Sequence, residues 1–184
     1  MKDLNELIGT LAVVIAKESK EEAFKKVIQA IELFYTENFF LNKYEVAIFL
    51  ANDEKTVLSF AAPEYLVNSG IIPVSSTDAY IASIFRRGSS LIENNLQQQK
   101  HLSIFEIIRT PEDELRPIWK MMGTLIFFEK EKLGVIEISR RSNKQEDAGE
   151  DFMESDLMFL ENTMKKLAPY LKRAMPPNFR GKIT

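Results

Sequence analysis

Few residues of this 184-residue chain are equipped for chemistry, and which ones are missing narrows the field. With no cysteine, a thiol nucleophile, an iron–sulfur cluster, a thiolate zinc site and a disulfide framework are all excluded. A single histidine, His101, excludes a multi-histidine metal centre. It lies in an apolar stretch, so a structural role outweighs a place in a Ser–His–Asp triad. The seven glycines are too widely spaced for a phosphate-cradling loop, and no Gly-x-Ser-x-Gly elbow is present. Glu112 and Glu114 sit in a solvated, proline-bearing loop, a poor setting for paired acid–base work. The acids Glu146, Asp147, Glu150, Asp151, Glu154 and Asp156 lack the alternating ligand spacing of a calcium loop. They read instead as favourable charge at the start of the helix that follows. Arg86-Arg87 and Arg140-Arg141 have the chemistry to grip a phosphate, but a solvated surface is the simpler reading. Trp119 is read as partly buried rather than as a stacking platform. The sequence thus predicts no catalytic residue and no metal, and it identifies no cofactor.

Lys and Arg number 24 against 27 Asp and Glu, a formal charge of −3, which argues against a nucleic-acid partner. The start, Met1-Lys2-Asp3, lacks the basic character of a signal peptide. The apolar run Leu7–Ala16 is interrupted by Gly9 and Thr10 and is far shorter than the roughly 20 residues a bilayer span needs. The expectation is a cytoplasmic protein with no membrane partner.

Leu4, Ile8, Leu11 and Ile15 recur at helical spacing, widened by Leu7 and Val14. Ser19-Lys20-Glu21-Glu22 is a capping-box pattern that starts a second helix with the apolar face Ala23, Phe24, Val27, Ile28, Ile31, Phe34 and Tyr35. The period then changes. Residues 44–51 and 56–62 read as a hairpin across the polar turn Asn52–Lys55. A long loop follows, and then a short helix over 79–87, with N-caps on offer from Ser75 to Asp78 and Gly88 as its stop. A short strand is expected over 90–94, a helix over 101–109, and strands over 118–128 and 133–141. The last helix, 154–175, carries Leu157, Leu160, Met164, Leu167, Leu171 and Ala174 at alternating three- and four-residue steps, and Pro169 should kink it. The order predicts an α+β fold: an antiparallel sheet with terminal helices on one face and middle helices and loops on the other.

Several stretches resemble a GAF domain. They are Val46–Asp53, Gly70-Ile71-Ile72-Pro73-Val74, Phe85-Arg86-Arg87-Gly88, Ser90–Asn95, the closing strand Leu133–Arg140, and the helix from Asp156 to Ala174. The resemblance implies residues 19–175 as the domain, residues 1–18 as an N-terminal helix, and 176–184 as a loose tail. It also implies a regulatory module that binds a small molecule between the sheet and the middle helices. Bilin-binding and methionine-sulfoxide-reducing types depend on Cys, which this chain lacks; haem-binding types need an axial His, and only His101 is available. The cyclic-nucleotide pattern is half matched, by Phe152 and Asp156, with Leu157 where a Glu is expected and Arg140-Arg141 where Asn-Lys would fall.

On that resemblance the pocket lies between the helix at 78–87, the strand at 90–95 and the sheet. Its candidate polar lining is Ser59, Thr77, Asp78, Tyr80, Arg86, Asn94, Asn95, Glu137 and Ser139. Glu137 stands out: a carboxylate between Ile136 and Ile138, mid-strand, needs a partner, a proton or water. The alternative is a pocket filled by Phe49, Phe85, Phe105, Phe127 and Phe128, leaving a dimerisation scaffold. The broad apolar surfaces of the terminal helices predict a homodimer through Leu4, Leu7, Leu11, Leu160, Met164, Leu167 and Leu171. The signal is expected to leave through a separate, unidentified partner protein.

Overall fold

The computed structural model describes residues 3–96, 117–177 and 179. Helix α1 (Leu4–Lys17) is capped by Asp3, whose carboxylate accepts from the Asn5 and Glu6 amides. Ser19 caps α2 (Lys20–Asn38) by accepting from the Glu22 amide, as the pattern predicted. Strands β1 (Val46–Ala51) and β2 (Val57–Ala62) form the expected hairpin. Its turn is closed by the Asn52 side chain, which accepts from the Thr56 and Val57 amides. A 3-10 turn (Glu64–Leu66) leads to β3 (Ile71–Pro73), three residues that the Gly and Pro around them disguised as loop. Helix α3 (Tyr80–Arg87) ends at Gly88, as expected. Its N-cap is Ala79, which makes no side-chain cap bond, so the Ser75–Asp78 candidates do not cap it. Then come β4 (Leu91–Glu93), β5 (Ile118–Phe128), β6 (Glu131–Arg141) and α4 (Glu154–Ala174), which continues past Pro169. The helix expected over 101–109 lies outside the described residues.

The six strands form one antiparallel sheet in the order β3-β2-β1-β6-β5-β4. The fold is α+β, as the sequence predicted. Strand alternation divides the core in two. One face, with Ile48, Leu50, Met122, Ile126, Ile136 and Ile138, is covered by α2 and α4, on which α1 packs in turn. The other, with Phe49, Leu58, Phe60, Met121 and Val135, is covered by α3 and the loops beside it. Gly134 lets β1 and β6 come together: a Cβ there would lie 1.9 Å from the Phe49 carbonyl oxygen. No helix among the described residues is long and apolar enough to cross a membrane.

The seam of the terminal helices is spent within one chain, which corrects the predicted dimer interface. Leu7, Leu11, Leu160, Met164, Leu167 and Leu171 are all buried in a single copy, and Leu4 is half-buried. The apolar width of α4 is explained by its two neighbours, the sheet on one side and α1 and α2 on the other. Tyr35 on α2 and Thr163 on α4 share a buried hydrogen bond of 2.9 Å inside this layer. The tail expected to be loose is held at Phe179, which is buried against Phe24 with ring centroids 6.1 Å apart.

Candidate functional site

The face of the sheet under α3 is built in cross-strand rows. One row is apolar, with Phe60, Phe49, Val135 and Leu125 side by side. The next runs Ala47, Glu137, Gly123, Leu91, so the Glu137 carboxylate stands between two small residues, Ala47 and Gly123. Glu137 is 8% exposed. Alternation turns it to the α3 side, because Ile136 and Ile138 face the terminal helices. Gly123 makes room for the helix above it: a Cβ there would come within 2.8 Å of the Ile84 Cδ1 methyl, which would have to shift. Beyond this row lies Ser139, also buried and paired with Met121. Its amide donates to the Glu45 carbonyl. α3 presses Ile81, Ile84 and Phe85 onto the same face.

The nine predicted pocket residues separate into groups. Glu137 and Ser139 sit under α3, and Tyr80 is half-buried against the same cluster. Ser59 is on the opposite face: Leu58 and Phe60 take the α3 side, and Ser59 pairs with Leu50 of the helix-covered core. Its buried hydroxyl has no hydrogen-bond partner among the described residues. Thr77 and Asp78 are exposed and bonded to each other. Arg86 is exposed too, and its guanidinium clamps the loop by donating to the Val74 and Ser76 carbonyls. Asn94 and Asn95 turn to the segment before α4. Asn94 bonds the Phe152 backbone, and the Asn95 side chain accepts from Gln145. These last two and Arg86 are tied up in holding loops rather than offered to a ligand. Phe105 lies outside the described residues, and Phe127 is 44% exposed, so it does not fill the α3 face.

Glu45 was missed from sequence. It is 2% exposed, and its carboxylate accepts from the Asn42 amide (2.6 Å) and the Arg141 amide (2.6 Å), locking the start of β1 to the end of β6. A lone Glu before an apolar strand carries no signal of such a role. At the end of β6, the Arg140 guanidinium lies 4.9 Å over the Phe152 ring. Among the acids read as helix-start charge, Asp156 accepts from the Met153 amide at 2.8 Å, and Asp151 pairs with Lys120 at 2.8 Å.

A separate recess of about 220 Å³ opens between α2 and the 3-10 turn. Buried Phe24, Ile28 and Ala61 form its floor, with Val67 half-buried beside them; Lys25, Gln29, Glu32, Glu64 and Asn68 supply its polar rim. Lys25 and Glu64 are paired across it at 2.9 Å. Glu32 is half-buried and makes no side-chain hydrogen bond or ion pair among the described residues. Burial first, and the Glu64 charge second, push its carboxyl above the ordinary range.

No family model and no curated protein sequence matches this chain. Solved structures do. The GAF domain of the Acinetobacter phosphoenolpyruvate-protein phosphotransferase superposes with a TM-score of 0.60 at 11% identity, covering 95% of this chain and 96% of that one. The second GAF domain of DevS from Mycobacterium smegmatis gives 0.58 at 12% identity, covering 81% and 93%. The type II free methionine-R-sulfoxide reductase of Thermoplasma acidophilum gives 0.59 at 14%, covering 84% and 96%. Likeness at such low identity is a likeness of architecture, and with the sheet order and the two-sided core it leads to one statement: the chain has the fold of a GAF domain.

Proposed function

We propose that this protein is a non-catalytic sensory or regulatory module that binds a small molecule under α3 and passes the change to a partner. One observation carries the reading, the row Ala47–Glu137–Gly123. The Glu137 carboxylate lies mid-strand at 8% exposure, between Ala47 and Gly123, whose small size leaves room beside it on this face. It suits a ligand with hydrogen-bond donors. The absence of cysteine supports a binding role over the chemistry named for the reductase neighbour. Val13 on α1 and Met158 on α4 are 52% and 59% exposed. They are the positions proposed to meet a second copy or a separate signalling protein.

A second reading is a scaffold with no ligand, favoured by the packing of Phe49, Phe60, Ile84 and Phe85 over the same face. Thermal-shift titration with nucleotides, tetrapyrroles and small metabolites separates the two. The sensor reading expects a compound that stabilises the native chain and loses its effect in Glu137→Gln. The scaffold reading expects no response, and a Glu137→Leu chain more stable than the parent.

A further inference from the structure

We infer that the recess between α2 and the 3-10 turn is a second binding site, for a small organic cation: a primary ammonium carried on one aromatic ring or short aliphatic chain. This site lies away from the face under α3 and does not rest on the reading of Glu137. Its floor of Phe24, Ile28 and Ala61 offers apolar surface in a volume of about 220 Å³, enough for a body of one ring and a short linker. Its charges are unbalanced. Glu64 has Lys25 at 2.9 Å, but Glu32 has no cationic partner among the described residues. Two carboxylates and one ammonium leave one negative charge over, at the half-buried position, where water screens it least. An incoming ammonium between Glu32 and Glu64 completes the set as its apolar body covers Phe24 and Ile28. An anion meets the uncompensated carboxylate, and a neutral isostere gains the floor alone. The side-chain amides of Gln29 and Asn68 on the rim report occupancy directly.

The test uses the full chain at neutral pH and three probes of one shape: phenethylammonium, 2-phenylethanol and phenylacetate. Binding is read by nitrogen-15 NMR from the Gln29 and Asn68 side-chain amides. The expected result is saturable movement of both with phenethylammonium, at a dissociation constant on the order of millimolar for so small a ligand. The alcohol should bind about tenfold more weakly, as loss of one charge-assisted bond implies, and phenylacetate should not bind. Glu32→Gln should weaken the ammonium about tenfold without lowering the unfolding temperature. Glu64→Gln, at an exposed position, should weaken it as well, while Glu137→Gln leaves it unchanged. Equal binding of the ammonium and the alcohol overturns the proposal, as does undiminished affinity in both the Glu32 and Glu64 variants. A response lost in Glu137→Gln but kept in Glu32→Gln assigns the probe to the α3 face instead and also overturns it.

Discussion

Asn94 and Phe152 are joined by two hydrogen bonds in opposite directions. The Asn94 amide nitrogen donates to the Phe152 carbonyl at 3.0 Å, and its oxygen accepts from the Phe152 amide at 2.9 Å. A side chain at the end of β4 thereby imitates a strand partner for the segment that enters α4. Asn94→Ala removes both bonds and leaves two backbone groups of a buried residue unpaired, with an expected loss of about 1–3 kcal/mol in urea unfolding. Asn94→Asp keeps the acceptor but sets a carboxylate oxygen against the Phe152 carbonyl, and is expected to be no less damaging.

Gly123 and Ile84 form a coupled pair, because the missing Cβ of one leaves room for the Cδ1 methyl of the other. Gly123→Ala is expected to cost about 1–3 kcal/mol by overpacking. Ile84→Val removes the clashing methyl, so the double variant should be more stable than the sum of the single losses predicts. Chemical denaturation of all four chains in a double-mutant cycle measures this. Gly134→Ala has no such rescue: the atom in the way is the Phe49 carbonyl oxygen, and the chain is expected not to fold.

The Tyr35–Thr163 bond ties α2 to α4 inside the core. Thr163 also donates to the Phe159 carbonyl, so Tyr35→Phe leaves it satisfied and should cost about 1 kcal/mol. Burial pushes the Tyr35 phenol well above its ordinary value of about 10, outweighing the opposing effect of the Thr163 bond. The folded chain therefore holds this proton at a pH where the unfolded chain has released it. Stability should fall as pH rises above about 10, and Tyr35→Phe should flatten that fall in alkaline thermal melts.

Two carboxylates give acid-range effects of opposite sign. Glu32 is raised in the folded state by burial and then by Glu64, so its ionisation opposes folding. Glu32→Gln should be more stable than the parent at pH 7, and the gain should vanish as pH falls below the ordinary carboxylate value. Glu131 is lowered, chiefly by the Lys172 bond and then by Lys55, with which it also pairs. Its contribution is full above the ordinary carboxylate value and is lost as pH falls through the folded value. Screening at this surface site keeps the effect below about 1 kcal/mol. Melting curves of Glu32→Gln and Glu131→Gln from pH 3 to 7 check both signs.

Periodicity and capping made the helices and the long hairpins legible, because Ser19, Gly88 and the α4 stripe act locally and their signals survive in the sequence. β3 was hidden because three residues are too few to show alternation beside Gly70 and Pro73. Of the pocket residues, Glu137 was readable from its apolar neighbours, Ile136 and Ile138. Ser59 was misplaced because the face a strand residue takes depends on register, which only the Leu50 pairing fixes. Arg86 and Asn94 looked like ligand groups because a side chain that holds a distant carbonyl has the same chemistry as one that holds a ligand. The recess at Glu32 left no trace in the sequence, since α2 and the 3-10 turn meet only in the folded chain.

The rims of the sheet are three residues each. β3 finishes on Pro73, which has no amide hydrogen to extend a ladder, and β4 passes into Asn94, already engaged with Phe152. The reach of β5 past β4 lies beside Gly88 and Ser90 and among the charges of Glu129, Glu161 and Lys165. Among the described residues, a strand from a neighbouring molecule finds only a short, proline-ended template at β3 and a three-residue one at β4. Rims as short as these give little footing for fibre growth through the sheet.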